Sequence, residues 1–185
     1  QSSVQSEDRT IGIMGLGNIG KAIGDSLVNL DFKVIGWGAR PKNSLGEIEY
    51  YYGHEQLSEF LSQTDILINI LPLTENTKNI LTKNELKLLP KGSFIINIGR
   101  GGIINENDLL SFLNSGHINA AALDVFAQEP LPENNSLWGH SSVYITPHIA
   151  GQSNPGSAAK TIAENIRLIE KGESPYPIYS LNSGY

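Results

Sequence analysis

Four side chains stand where chemistry would need them. Arg100 sits among glycines in NIGRGG (97–102), Asp124 and Glu129 fall in LDVFAQEP (123–130), and His148 follows a proline in ITPHIAG (145–151). Each stretch comes directly after a short apolar run. An imidazole titrates near neutral pH, and a carboxylate beside it stabilises the imidazolium and raises its pKa. A guanidinium carries a permanent charge and a fork of N–H donors, so Arg100 is either a solvated loop charge or a clamp for an anion. Glu129 can equally be a turn acid. His54, His117 and His140 lack such a setting and read as surface or packing residues.

These side chains need elements to hold them. The runs TIGIMG, KVIGW, DILINIL, SFIINI, AAALDVF and VYIT are short and apolar throughout, as strands buried on both faces are. Between them lie amphipathic segments. Asn18 to Leu30 carries Ile19, Ala22, Ile23, Leu27 and Leu30 at helical spacing. Asn105 can cap a helix whose Asp108 reaches back to the first turn, with Leu109, Leu110 and Leu113 inward and Gly116 as its stop. Pro155 to Lys171 aligns Ile162, Ile166 and Ile169, and Gly172 ends it. Strands alternating with helices predict an α/β fold of the Rossmann type, a doubly wound parallel sheet in three layers. In such a sheet ligands lie at the carboxyl ends of the strands, where Arg100, Asp124, Glu129 and His148 would converge.

GLGNIG, Gly15 to Gly20, follows the first strand and opens the first helix. In that context Gly15 permits the tight turn, Gly17 lets a pyrophosphate approach the backbone, and Gly20 allows close helix–strand packing, while the helix N-terminus offers N–H donors to phosphates. A strand–helix turn without a ligand is the plainer alternative. An NAD site usually carries an acid at the end of the second strand for the ribose hydroxyls. Here that place holds Gly38, with Arg40 and Lys42 just beyond. Arg40 suits a 2′-phosphate, so NADP(H) is the preferred cofactor and NAD(H) a possible one; the alternative is a solvated basic turn.

With these motifs in order, the chain resembles the D-isomer-specific 2-hydroxyacid dehydrogenases. GIMGLGNIG, LPLTENTKNIL, INIGRGGIINENDLL, AALDVFAQEPLP and ITPHIAG carry the resemblance, which runs from about Ile11 to Gly172. The wording of VFAQEPLPENNSLWGHSSVYITPHIAG looks nearest to the glyoxylate/hydroxypyruvate reductase branch. The resemblance implies an oxidoreductase in which Arg100, Glu129 and His148 are catalytic and Asp124 holds the nicotinamide carboxamide. Cofactor contacts would fall on Gly15, Gly17, Asn18, Ile19, Gly20, Gly38, Arg40, Lys42, Leu71, Pro72, Thr77, Ile98, Gly99, Asp124, His148 and Ala150. The PLTENT loop, Pro72 to Thr77, either lies against the cofactor or starts a helix. Gly99 departs from the pattern, since many members carry another small residue there, as does the missing acid at Gly38. Reducing a small 2-keto acid to the 2-hydroxy acid takes a hydride, a proton and a cation for the carboxylate. His148 would give the proton, Glu129 would tune it, and Arg100 would clamp the acid. Alternatives within the same likeness are a phosphoglycerate-type dehydrogenase and a non-catalytic nucleotide sensor or corepressor. Retention of Arg100, Glu129 and His148 together argues against the sensor.

Residues 1–9 read as a polar leader or linker remnant, 10–153 as the NAD(P)-binding domain, and 154–185 as a helix and tail. In the family that helix and tail return to a substrate-binding domain absent here, so the isolated domain is expected to have low activity. The resemblance also implies homodimers through the nucleotide-binding domain. The 185 residues, 39% hydrophobic and 17% charged, suit an ordinary globular core. The net charge of −6 argues against a nucleic-acid partner. No apolar run is long enough for a membrane span, and the zero cysteine count excludes disulfides and fits a cytoplasmic protein. No metal site is expected.

Overall fold

The computed structural model describes residues 9–42 and 45–178. The first eight residues of the leader and the end of the tail lie outside the described residues. In chain order the elements are β1 (Thr10–Met14), α1 (Asn18–Val28), β2 (Lys33–Gly38), β3 (Glu49–Tyr52), α2 (Leu57–Ser62), β4 (Ile66–Asn69), α3 (Lys83–Leu86), β5 (Ser93–Asn97), α4 (Glu106–Asn114), β6 (Ile118–Leu123), β7 (Val143–Ile145) and α5 (Pro155–Glu170). The strands form one sheet in the order β3-β2-β1-β4-β5-β6-β7, every neighbouring pair parallel. This is the Rossmann-type α/β fold that the strand pattern predicts. Strand order reverses between β1 and β4, the place at the carboxyl edge where open parallel sheets of this kind hold their ligands.

Alternation along the strands divides the core. Ile11 and Ile13 of β1 point into a cluster with Leu16, Val34, Ile48 and Ile68, against which Ile23 and Leu27 of α1 pack. Met14 belongs to the opposite cluster, with Phe60, Leu61, Leu67, Leu86, Ile95 and Leu109. Each face therefore has its own apolar layer, and burial on both sides explains the apolar runs of β1, β2 and β4, while β7 is an edge strand with Tyr144 exposed.

Several local readings are corrected. β3, EYYY, escapes a search for apolar runs because it is an edge strand of tyrosines, of which Tyr51 is buried. α1 stops at Val28, and Ile19 and Leu30 are exposed; its buried positions are Gly20 and Gly24, with Ile23 and Leu27 partly covered. Small residues let the helix lie close to the sheet, so the buried side is narrower than the apolar stripe. Asn105 does cap α4, accepting from the Asp108 backbone N–H at 3.1 Å. Asp108 does not reach back: its Oδ2 accepts from the Lys83 N–H at 2.9 Å and so caps α3 instead. The PLTENT loop folds as turns rather than as the start of a helix.

The chain divides into two compact units, one ending at His148 and one beginning at Ile149. In the second, Asn154 caps α5 by accepting from the N–H groups of Gly156 and Ser157, with Pro155 in the first turn. No residue of α5 is buried, and Ile162, Ile166 and Ile169 are exposed. Among the described residues no helix is long and apolar enough to cross a membrane, and no cluster of His, Cys, Asp and Glu could hold a metal.

The packing of α1 makes a direct prediction. A Cβ on Gly20 would collide with the Gly15 carbonyl, whereas one on Gly17 would meet nothing. Gly20→Ala should therefore cost about 1–3 kcal/mol in urea unfolding, and Gly17→Ala less than about 1 kcal/mol. Equal costs would mean that helix and loop do not approach so closely.

Candidate active site

At this edge the glycine loop folds tightly. Gly15 has φ 101°, a conformation that side chains rarely adopt, and a Cβ there would crowd the Ile70 carbonyl and Leu71 N at 3.1–3.2 Å. The loops leaving β1 and β4 thus touch through backbone. Gly17 faces open space, leaving its backbone approachable, and Asn18 and Ile19 beside it are exposed. Lys42 is exposed, and its Nζ donates to the Leu16 carbonyl, which straps the basic turn to the glycine loop.

At the end of β2, Gly38 is buried and Arg40 exposed. A Cβ on Gly38 would collide with the Tyr50 hydroxyl, which donates to the Arg40 carbonyl at 3.0 Å. Among the described residues the Arg40 guanidinium has no hydrogen-bond or ion-pair partner.

Two buried asparagines, neither singled out from the sequence, tie the ends of β4 and β5. The Asn69 Nδ2 donates to Asn97 Oδ1 at 2.8 Å, Asn69 Oδ1 accepts from the Leu71 N–H, and Asn97 Oδ1 also accepts from the Gly99 N–H. Asn97 Nδ2 donates to the Arg100 carbonyl at 3.3 Å. Both close an otherwise apolar strand, ILIN and FIIN, and that repeated ending was the available signal. The glycines around Arg100 serve contact with the protein itself. A Cβ on Gly99 would lie 2.8 Å from the Leu71 carbonyl, and one on Gly101 would collide with the Phe126 backbone. Arg100, exposed between them, donates from Nη1 to the Gly99 carbonyl at 2.7 Å.

Leu71 is buried and Ile98 half-buried beside these loops. Thr77 is buried, and its hydroxyl donates to the Pro72 carbonyl and accepts from the Thr74 N–H, both at 2.7 Å. Its side chain therefore holds the shape of its own loop.

Past β6 and β7 lies a cavity of about 640 Å³ lined by Asp124, Phe126, Glu129, Trp138, Thr146 and His148, among others. Asp124, 3% exposed, accepts from the Thr146 hydroxyl. Glu129 uses both oxygens: Oε1 accepts from the Phe126 N–H at 2.9 Å and Oε2 from His148 Nδ1 at 2.7 Å. Its carboxyl is held below the ordinary value of 4.5, first by the hydrogen bond from His148, then by that from Phe126, with the charges of His148 and Arg100 adding. Arg100 does not line the cavity, yet its charge reaches Glu129. Because the carboxylate accepts at Nδ1, that nitrogen carries hydrogen and Nε2 is left for other partners. His148 also has φ 56°, an uncommon conformation for a residue with a side chain. His117 and His140 are engaged locally, with the Leu89 carbonyl and the Ser142 N–H. Ala150 falls in the unit that begins at Ile149.

The sequence matches the family model described as D-isomer specific 2-hydroxyacid dehydrogenase, NAD binding domain, over residues 1–150. The chain belongs to this family. It is 40% identical over 179 residues to glyoxylate/hydroxypyruvate reductase A of Photorhabdus laumondii subsp. laumondii, covering 97% of this chain and 57% of that protein. Against the same-named protein of Salmonella paratyphi B it is 43% identical, with 91% and 54% covered. The chain thus spans about half the length of the curated relatives it matches. Among solved structures it is similar to a family member from Xanthobacter autotrophicus Py2 in complex with NADPH and MES, with TM-score 0.94, 39% identity, and 97% and 74% of the two chains covered. It is also similar to the NADPH-dependent glyoxylate/hydroxypyruvate reductase of Sinorhizobium meliloti in complex with NADP and sulfate, with TM-score 0.94, 35% identity, and 100% and 60% covered.

The His148–Glu129 pair has a titration signature. Glu129 in the folded chain should titrate below 4.5 by carbon-detected NMR. In His148→Asn, which removes the ring and tolerates the left-handed backbone, its midpoint should move back up only in part, since the Phe126 N–H remains. Any stability the lowered value contributes is full above about pH 4.5 and disappears as pH falls through the depressed midpoint. An unshifted Glu129 would mean that the pair does not form in solution.

Proposed function

We propose that this chain is the cofactor-binding part of an NADP(H)-dependent reductase that converts a small 2-keto acid, of the glyoxylate or hydroxypyruvate type, to the 2-hydroxy acid. The observation that carries the reading is the His148–Glu129 hydrogen bond beside a cavity that also holds buried Asp124. The family and the named relatives support it.

The residues present fit a dinucleotide. Gly15, Gly17 and Gly20 shape a loop with approachable backbone before α1, Asn18 and Ile19 begin the helix, and its N-terminus suits a pyrophosphate. Arg40 would take the 2′-phosphate, with Lys42 bracing the turn. Leu71, Pro72, Thr77, Ile98 and Gly99 complete the proposed cofactor contacts, and Asp124 would accept from a carboxamide. NADP(H), when bound, supplies the hydride for the carbonyl carbon.

The chain's own residues supply the rest. Glu129 fixes the ring of His148 through Nδ1, so Nε2 is the atom that delivers a proton to the carbonyl oxygen. The neutral imidazole left behind regains its proton from solvent, and Glu129, held ionised, stabilises the charged ring in each cycle. Arg100 offers the fork for the substrate carboxylate while its charge reinforces ionisation of Glu129. Homodimers form part of the same reading, and sedimentation equilibrium checks them.

The reading predicts keto-acid-dependent loss of the near-ultraviolet absorbance of NADPH, with glyoxylate and hydroxypyruvate favoured. In the full-length protein His148→Asn should lower turnover by about 10²-fold or more, leaving NADPH binding nearly intact. Glu129→Gln should change the pH profile, and Arg100→Lys should damage substrate use because a point charge cannot replace the fork. Near-normal turnover in the His148 variant would overturn the assignment.

A further inference from the structure

The strand end that selects the cofactor is shaped by a residue no motif marks. In β2 the sequence GWG places Gly36 and Gly38 on one face. A Cβ on Gly36 would collide with Leu16 of the glycine loop and crowd the Tyr50 ring at 3.3 Å; one on Gly38 would collide with the Tyr50 hydroxyl. Tyr50 therefore lies across a floor of two glycines, beside the loop proposed to hold the pyrophosphate. Its strand is fixed: β3 pairs with β2 from Ile35 to Gly38, and the Trp37 indole donates to the Gly53 carbonyl at 2.9 Å.

Two consequences follow for the end of β2. First, an acidic side chain at position 38 would have to enter space that the phenol holds. An acid at position 38 therefore requires the Tyr50 phenol to move away, and with it the hydrogen bond to the Arg40 carbonyl. Second, the phenol donates to the Arg40 carbonyl at 3.0 Å, which fixes the backbone from Gly38 to Arg40. The turn is braced from its other side by Lys42, whose Nζ reaches the Leu16 carbonyl. Arg40 is left exposed on a turn held at both ends, with its guanidinium unengaged among the described residues.

We propose that Tyr50 is a specificity-determining positioning residue for the adenosine ribose: its hydroxyl both occupies the space a side chain at position 38 would enter and holds the Arg40 turn in place for a 2′-phosphate. The proposal rests on the NADP(H) reading above and extends it to a side chain that itself need not touch the phosphate. An ordered turn loses less freedom on binding than a loose one, so the benefit falls on the phosphorylated cofactor alone.

The test is a set of NADPH and NADH titrations on this chain and on Arg40→Ala, Tyr50→Phe, Gly38→Asp and Gly38→Asp/Tyr50→Phe, with melting temperatures for each. Tyr50→Phe keeps the ring, so the fold should persist. Its NADPH affinity should fall about 3- to 10-fold with NADH affinity unchanged, as expected for one lost positioning hydrogen bond. Gly38→Asp alone should lower the melting temperature and weaken both cofactors. Adding Tyr50→Phe should recover much of the melting temperature and bring NADH binding above that of Gly38→Asp. Arg40→Ala reports on the underlying reading, because an unchanged NADPH preference there would remove the 2′-phosphate contact itself. The Tyr50 proposal is overturned if Arg40→Ala abolishes the preference while Tyr50→Phe leaves it intact. It is also overturned, whatever the starting preference, if Gly38→Asp is no better tolerated without the hydroxyl than with it.

Discussion

Backbone lies against backbone along the carboxyl edge of the sheet, and the rest of the site depends on that closeness. The loop after β1 touches the loop after β4 at Gly15, the loop after β5 touches both Leu71 and Phe126 at Gly99 and Gly101, and α1 lies on its own loop at Gly20. A Cβ at any of these places would push two loops apart. Adjacent parallel strands bring their ends to one edge, but only such contacts draw the loops themselves into one surface. Glycine-rich stretches that look like ligand loops in the sequence thus serve first to let the protein meet itself.

Polar side chains then fix what the glycines allow. The Asn69–Asn97 pair satisfies amides of the loops after β4 and β5 and holds the Arg100 carbonyl, in a buried place where an unpaired group would be costly. Glu129 joins the Phe126 N–H to His148, so the loops after β6 and after β7 share one carboxylate. His148 itself has a left-handed backbone. Local strain of this kind persists where the surroundings determine it, and here it lies beside the cavity.

Much of this was legible in the sequence, for physical reasons. Buried parallel strands must be apolar on both faces, so the inner strands stand out as short apolar runs, and the edge strand β7 does so through Val143 and Ile145 although Tyr144 is exposed. The tight turn at Gly15 and the close packing at Gly20 follow from what a strand-to-helix turn requires, and the geometry bears these two out, whereas nothing in the protein itself crowds Gly17. The pairing of Glu129 with His148 was readable because carboxylate and imidazole follow neighbouring strands. Other features were hidden. β3 is an edge strand of tyrosines without an apolar signature, and with it went Tyr50 and the reason for Gly38. Asp108 was expected to act within its own helix, since local spacing says nothing of the N-terminus of α3 beside it. Thr77 was read as a cofactor contact, and local spacing did not show that its hydroxyl engages two backbone groups of its own turn.

The central claim is that one edge of this sheet forms a single dinucleotide site running from the glycine loop to the cavity at His148. Backbone amide NMR of the chain during titration with NADPH tests it most directly. The account predicts that resonances of the segments 15–20, 38–42, 97–101 and 124–129 shift together along one saturable curve. Shifts confined to one of these segments, or an edge that stays silent at saturating NADPH, would contradict it.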